Sequence, residues 1–153
     1  MYRSLFATEV RAEVLARIDR LTPAHRPRWG KLDAVRLLCH LTDAVRISLG
    51  EIDAGPVQPG FMTSPLGRWL AIDSPMPWPK GIAVPEAYFS TAPEPNQFER
   101  DRMRLRDQLL RLAQGAAASQ RWGVSPVFGA LSVDQWGRLN ARHCDHHLRQ
   151  FGV

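Results

Sequence analysis

Nine of the twelve prolines in this chain fall between Pro56 and Pro95, and their clustering constrains the fold more than any other feature. Proline lacks the backbone N–H and has a locked φ, so such a stretch makes neither a long helix nor a central strand. Pro56, Pro59, Pro65, Pro75, Pro77, Pro79, Pro85, Pro93 and Pro95 are interleaved with Phe61, Leu66, Trp69, Leu70, Ile72, Met76, Trp78, Tyr88 and Phe89. That is too apolar for a disordered linker. Gly55 to Pro95 is therefore expected to be an ordered crossover packed over the rest of the chain, with one short helix near Pro65 to Ile72. Ordered loops of this length serve either as lids and binding loops or as plain core cover, and the residues leave both open.

On either side of the crossover the apolar residues recur at helical spacing. Val10, Val14, Leu15, Ile18 and Leu21 form one stripe from about Thr8 to Leu21, stopped by Pro23 and Pro27. A second helix is expected from about Lys31 to Leu49, closed by Gly50, a favoured residue just past a helix end. Leu37, Leu38, Leu41, Ala44, Val45 and Ile47 wrap nearly halfway round it, which marks a central helix. Beyond the crossover, Asn96 with Glu99 reads as a capping box opening a third helix to about Gln114. Its buried side is expected from Phe98, Met103, Leu105, Leu109, Leu110 and Leu112. A loop packed through Trp122 and Phe128 follows, and Ser132 with Gln135 caps a last helix that meets no proline before Val153. The expectation is all-α: a single domain over 1–153, built as an antiparallel four-helix bundle with the proline-rich crossover between helices two and three.

Composition excludes several function classes. No run of about 18 apolar residues exists to span a membrane. The start, MYRSLFATEVRAE, lacks a signal peptide's apolar centre. The two cysteines, Cys39 and Cys144, lack zinc-finger spacing and read as small core residues. A soluble cytoplasmic protein is the expectation. The net charge of +5 is carried by arginines set among acids, with Lys31 and Lys80 the only lysines. Without a basic tail this is a solvated helix surface, and no nucleic-acid partner is expected.

The chemistry is concentrated in the histidines. His143 and His147 are four apart, so on a helix their imidazoles leave the same face one turn from each other. That face also holds Trp136, Asn140 and Phe151, while Arg138, Arg142, Asp145 and Arg149 lie elsewhere. His40 occupies a comparable apolar face of the second helix with Leu37, Ala44 and Ile47. A lone histidine there is ordinarily a core hydrogen-bonder, but facing helices of a bundle can aim ligands at one point. Three imidazoles leave a position open for water or substrate, as catalytic rather than structural sites do. Such an ion lowers the pKa of its water or of a substrate thiol. His146, three from His143, could replace His147, although its direction suits the rim. Asn140 is a candidate for orienting a ligand and Asp43 for accepting an imidazole N–H; plain capping or surface roles are open for both. Trp78 and Lys80 are candidates for the mouth, Lys80 to meet an anionic group. His25, in PAHRPRW, is expected to be exposed.

The histidine of LLCHLTDAV together with HxxHHLRQF resembles the DinB-like (DinB/YfiT-like) superfamily of metal-binding four-helix bundles. RPRWGKLDAVRLLCHL and PMPWPKG look closer still to one branch of it, and the resemblance covers most of the chain. It implies a triple-histidine site for zinc or nickel at one mouth of the bundle, with His40, His143 and His147 as ligands, and frequent homodimers. Some relatives are metal-dependent thiol transferases or maleylpyruvate isomerases that use a low-molecular-weight thiol. Two function classes follow. One is a metal-dependent transferase, isomerase or hydrolase acting on a small molecule; the other is a non-catalytic metal or small-ligand module linked to stress. A substrate cavity beside the site favours the first, a fourth protein ligand such as His146 or Asp43 the second.

Overall fold

The computed structural model describes residues 3–81, 86–94, 96–116 and 121–153. Pro85 and Pro95 of the crossover, and residues 117–120 of the loop before the last helix, lie outside them. The chain is all-α: α1 Thr8–Arg20, α2 Ala34–Ser48, α3 Pro65–Arg68, α4 Phe98–Gly115 and α5 Val133–Phe151. Short 3₁₀ turns occur at Phe61–Thr63 and Glu86–Phe89, and Ser125 and Gly129 form one isolated bridge. No helix among the described residues is long and apolar enough to cross a membrane.

Local chemistry accounts for the helix ends. Ser132 and Gln135 make the expected capping box, the Ser132 Oγ accepting from Gln135 N at 3.2 Å and Gln135 Oε1 from Ser132 N at 2.9 Å. Gly152, at φ 77°, closes α5 in the left-handed conformation that glycine adopts without strain. α2 starts later than Lys31 because the Asp33 carboxylate accepts from Arg36 N at 2.8 Å and so sets the cap. The Asn96 cap does not form. Asn96 sits at φ 64° and α4 begins at Phe98 without a side-chain cap, while Glu99 pairs with Arg102.

α2 packs against α4 and α5, and α1 packs against the same two helices. Leu5 N bonds to Gly137 O and Arg17 pairs with Asp145, so α1 and α5 run in the same direction. Cys39 lies by Asp101 and Glu51 by Arg111, so α2 and α4 also run together. The contacts of Asp19 with Arg102 and Arg106, and of Ser48 with Asn140, set the other two pairs antiparallel. The long crossover permits this, since it returns the chain to the end where α2 began. Neighbouring helices therefore do not all alternate, as a strictly antiparallel order would have them.

The main core joins Val14 and Ile18, Leu38 and Leu41, Leu105 and Leu109, and Leu148 from the four long helices. Met103 and Leu110, expected inside, are exposed; they lie seven apart on one outward line of α4. A second cluster forms where the crossover and the last loop cover α2 and α5. There Ile72, Tyr88 and Phe128 pack on Ile47, Trp136 and Leu139. The short helix expected near Pro65 to Ile72 is α3, continued by a wide turn over Trp69–Asp73.

Gly123 holds that last loop against the end of α2, its N–H donating to Ser48 O at 2.9 Å. A Cβ at this position would collide with the backbone carbonyl of Ile47, which no side-chain rotation relieves. Gly123→Ala is therefore expected to cost about 2–3 kcal/mol and lower the melting temperature by roughly 5–10 °C. A variant melting within a degree of wild type would show that the loop does not dock here.

Candidate metal centre

His40 lies mid-way along α2, buried, with its ring stacked on Phe89 at 4.8 Å between centroids. Its Nδ1 is 3.0 Å from the carbonyl oxygen of Tyr88. A carbonyl only accepts, so Nδ1 carries the proton and Nε2 is bare. That bare nitrogen is 3.0 Å from His143 Nε2. His143 Nε2–H therefore donates to His40, and the two helices are joined through their imidazoles.

His147 is fixed by a parallel device. Its Nδ1 is 2.8 Å from Gln150 Oε1. The amide of Gln150 is oriented because its Nε2 donates to Trp29 O at 2.6 Å. Oε1 must therefore face His147 and accept from Nδ1–H, which leaves His147 Nε2 bare. The segment carrying Trp29 is held in turn by Arg28 N, which donates to Gln150 O at 2.7 Å. Backbone carbonyl and amide partners of this kind orient metal-binding imidazoles and set their tautomers.

One ligand atom from each of His40, His143 and His147 lies within 4.8 Å of the others, and no other three ligating side chains converge so among the described residues. Burial holds all three imidazoles below the usual histidine range. His143 is pushed well down by burial and then by its neighbours His147 and His40; His147 is pushed down to about 3, chiefly by burial. At neutral pH the site presents uncharged nitrogen donors, the state in which imidazole ligates.

The other candidates divide. His146 is not one of the three converging side chains; its ring stands edge-on to His147 at 5.1 Å and to Trp29 at 5.9 Å, and tilted against Trp78 at 5.7 Å. Trp78 borders the cluster, 5.7 Å from the His143 ring, and donates Nε1–H to Ala71 O at 2.7 Å. Lys80 stands over the Trp29 ring at 4.7 Å. Asn140 does not reach the imidazoles; its Nδ2 bonds Ser48 Oγ and Trp136 O, both at 2.9 Å. Asp43 does not receive an imidazole N–H either, that role belonging to the Tyr88 carbonyl. The fully buried Asp43 carboxylate accepts from Thr91 N and Thr91 Oγ1, each at 2.6 Å. His25 is half-buried and bonds Thr22 away from the site. Burial raises the thiols, Cys39 to about 11 with Asp101 beside it and Cys144 to about 12, so neither is a nucleophile.

No family model, curated protein or solved structure matches the chain. The site is therefore read from its own geometry.

Because the three imidazoles stay neutral when folded but bind protons near 6.5 when unfolded, acid favours the unfolded chain. The metal-free protein is expected to keep its full stability above about pH 6.5 and lose it as pH falls toward 3. Each depressed histidine contributes at most about 1.4 kcal/mol per pH unit. Denaturant unfolding between pH 7 and pH 4.5 in chelator measures this. A flat profile would mean that the imidazoles are hydrated rather than buried.

Proposed function

We propose that this chain is a divalent-metal protein of the DinB-like kind, with α1, α2, α4 and α5 as its four-helix bundle. In this reading it is an enzyme of the thiol-transferase, isomerase or hydrolase type acting on a small molecule. One observation carries the reading: three imidazoles converge, one fully and two partly buried, and two of them have their tautomers set by groups outside the trio. His40 answers to the Tyr88 carbonyl and His147 to Gln150, so each keeps a bare Nε2, and that of His40 meets His143. Zinc or nickel suits an all-nitrogen set of this kind. A bound ion would supply Lewis acidity and a lowered pKa for water or a thiol. His40, His143 and His147 would hold it, while Phe89 on one side and Trp78 on another exclude water from the imidazoles.

Two features favour catalysis over a closed storage or sensing site. Asp43 is committed to Thr91, and His146, though beside His147, is not among the converging ligand atoms. A cavity also adjoins the cluster. A low-molecular-weight thiol as co-substrate, and a homodimer, belong to the same proposal through the family resemblance.

The test is to load purified, untagged protein with zinc or nickel at neutral pH and count ligands by X-ray absorption. Three imidazoles plus an exchangeable light-atom ligand are expected. Retention of no ion, or four protein ligands, would overturn the enzyme reading.

A further inference from the structure

A cavity of about 510 Å³ opens between α1, α5 and the crossover segment that runs from Ile72 to Lys80. It lies on the outer side of the cluster, and Trp78 and His146 form the wall between them. The volume is that of a small-molecule site. Its lining is mostly apolar, with Val10, Val14, Ile72 and Ala141 along its floor and the indoles of Trp29 and Trp78 at one end.

The charges around it are unequal. Six cations, Arg3, Arg17, Lys80, Arg138, Arg142 and Arg149, line the cavity against two carboxylates, Glu13 and Asp145. Arg3 pairs with Glu13, and Arg138 with Asp73 and Asp134. Arg17 lies between Glu13 and Asp145 and Arg149 takes the same Asp145, so that with Arg3 three guanidinium groups share two carboxylates. Arg142 donates to the carbonyls of Ser74 and Met76 and stands 5.6 Å from the Trp78 ring. Lys80 meets the Trp29 face and, among the described residues, no carboxylate. A largely apolar cavity with an excess of cations beside two indoles is complementary to an aromatic anion. Guanidinium and ammonium groups bind carboxylates through charge-assisted hydrogen bonds, and indole faces stack on rings.

We propose that this cavity binds an aromatic carboxylate, its ring against Trp78 and Trp29 and its carboxylate at Lys80. Taking this ligand as the substrate of the neighbouring metal centre rests on the metal reading above; the binding itself does not. The anion is held by the wall that Trp78 and His146 share with the cluster.

Isothermal titration of naphthalene-2-carboxylate, with naphthalene-2-carboxamide as its neutral counterpart, tests this in chelator-treated and in zinc-loaded protein. The carboxylate is expected to bind at least tenfold tighter than the amide in both preparations. Lys80→Gln, at an exposed position that does not endanger folding, should remove about tenfold from the carboxylate alone. Equal affinity for acid and amide, no effect of Lys80→Gln, or no binding would overturn the proposal. So would binding seen only with zinc, which would put the anion on the ion instead of in the cavity. Carboxylate binding that depends on Lys80 in a protein that retains no ion would sustain this proposal and sink the metal reading.

Discussion

Replacing His143 by alanine is expected to abolish metal binding, while His146→Ala leaves about one ion per chain as in wild type. The three rings form a near-equilateral triangle, His143 being 4.9 Å from His40 and 4.8 Å from His147, and His40 4.9 Å from His147. Without it two donors remain, too few for a tight site. His146 packs between His147, Trp29 and Trp78, and its ring nitrogens are not among the converging ligand atoms. The effect has a thermal counterpart. An ion that binds only the folded chain adds about 2.7 kcal/mol at a hundredfold excess over its dissociation constant, roughly 5–10 °C for a chain of this size. Wild type and His146→Ala should show that shift with zinc, and His143→Ala should show none. Elemental analysis beside thermal unfolding reads both. If His146→Ala loses the ion while His147→Ala keeps it, the ligand assignment on α5 is reversed. If wild type retains no ion, the imidazoles are core hydrogen-bonders.

The second large effect is expected at Asp43, which is no ligand. Its carboxylate is fully buried and accepts two bonds from Thr91, with the Arg46 guanidinium 3.4 Å away. Asp43→Ala would strand the Thr91 N–H and leave Arg46 half-buried without this partner. Losses of this kind cost roughly 3–5 kcal/mol, here a fall in melting temperature of about 10 °C or more. The function should suffer as well. Thr91 tethers the segment that ends the turn Glu86–Phe89, whose Tyr88 carbonyl orients His40 and whose Phe89 stacks on it. Zinc affinity of the surviving folded protein is expected to fall, with Asp43→Asn intermediate because an amide oxygen can still accept from Thr91 N–H. A melting temperature within two degrees of wild type in Asp43→Ala would sink the tether.

How far the site can be read from residue spacing follows from these two positions. Helical periodicity places His143 and His147 on one face with Trp136 and Phe151, and His40 on the apolar face of α2. Spacing along one helix is local, and it carries that information. The partners of the imidazoles are different. Tyr88 contributes a backbone carbonyl, which every residue has, so nothing in the side chains marks it. Asp43 is placed three residues after His40 and is the obvious acceptor, but it is claimed by Thr91, 48 residues away. Gln150 was open to discovery: it follows His147 by three, the spacing at which helical side chains meet. Asn140 shares the histidine face, yet it finds Ser48 at the far end of α2, one turn short of the cluster. In the fold, the crossover was legible from its prolines and its aromatic content. The directions of neighbouring helices were not, because they depend on which end of α2 the crossover returns to.

That arrangement has a kinetic consequence. Helical proteins fold fast when their contacts join residues near in sequence. Here α1 lies beside α5, and Arg17 reaches Asp145 and Val153 across 128 and 136 residues. His40 and His143 are 103 apart. Closing loops of that length is entropically unfavourable until several such contacts form together. The barrier to folding should therefore lie in docking the first helix against the last, and this chain is expected to fold more slowly than up-and-down bundles of its length.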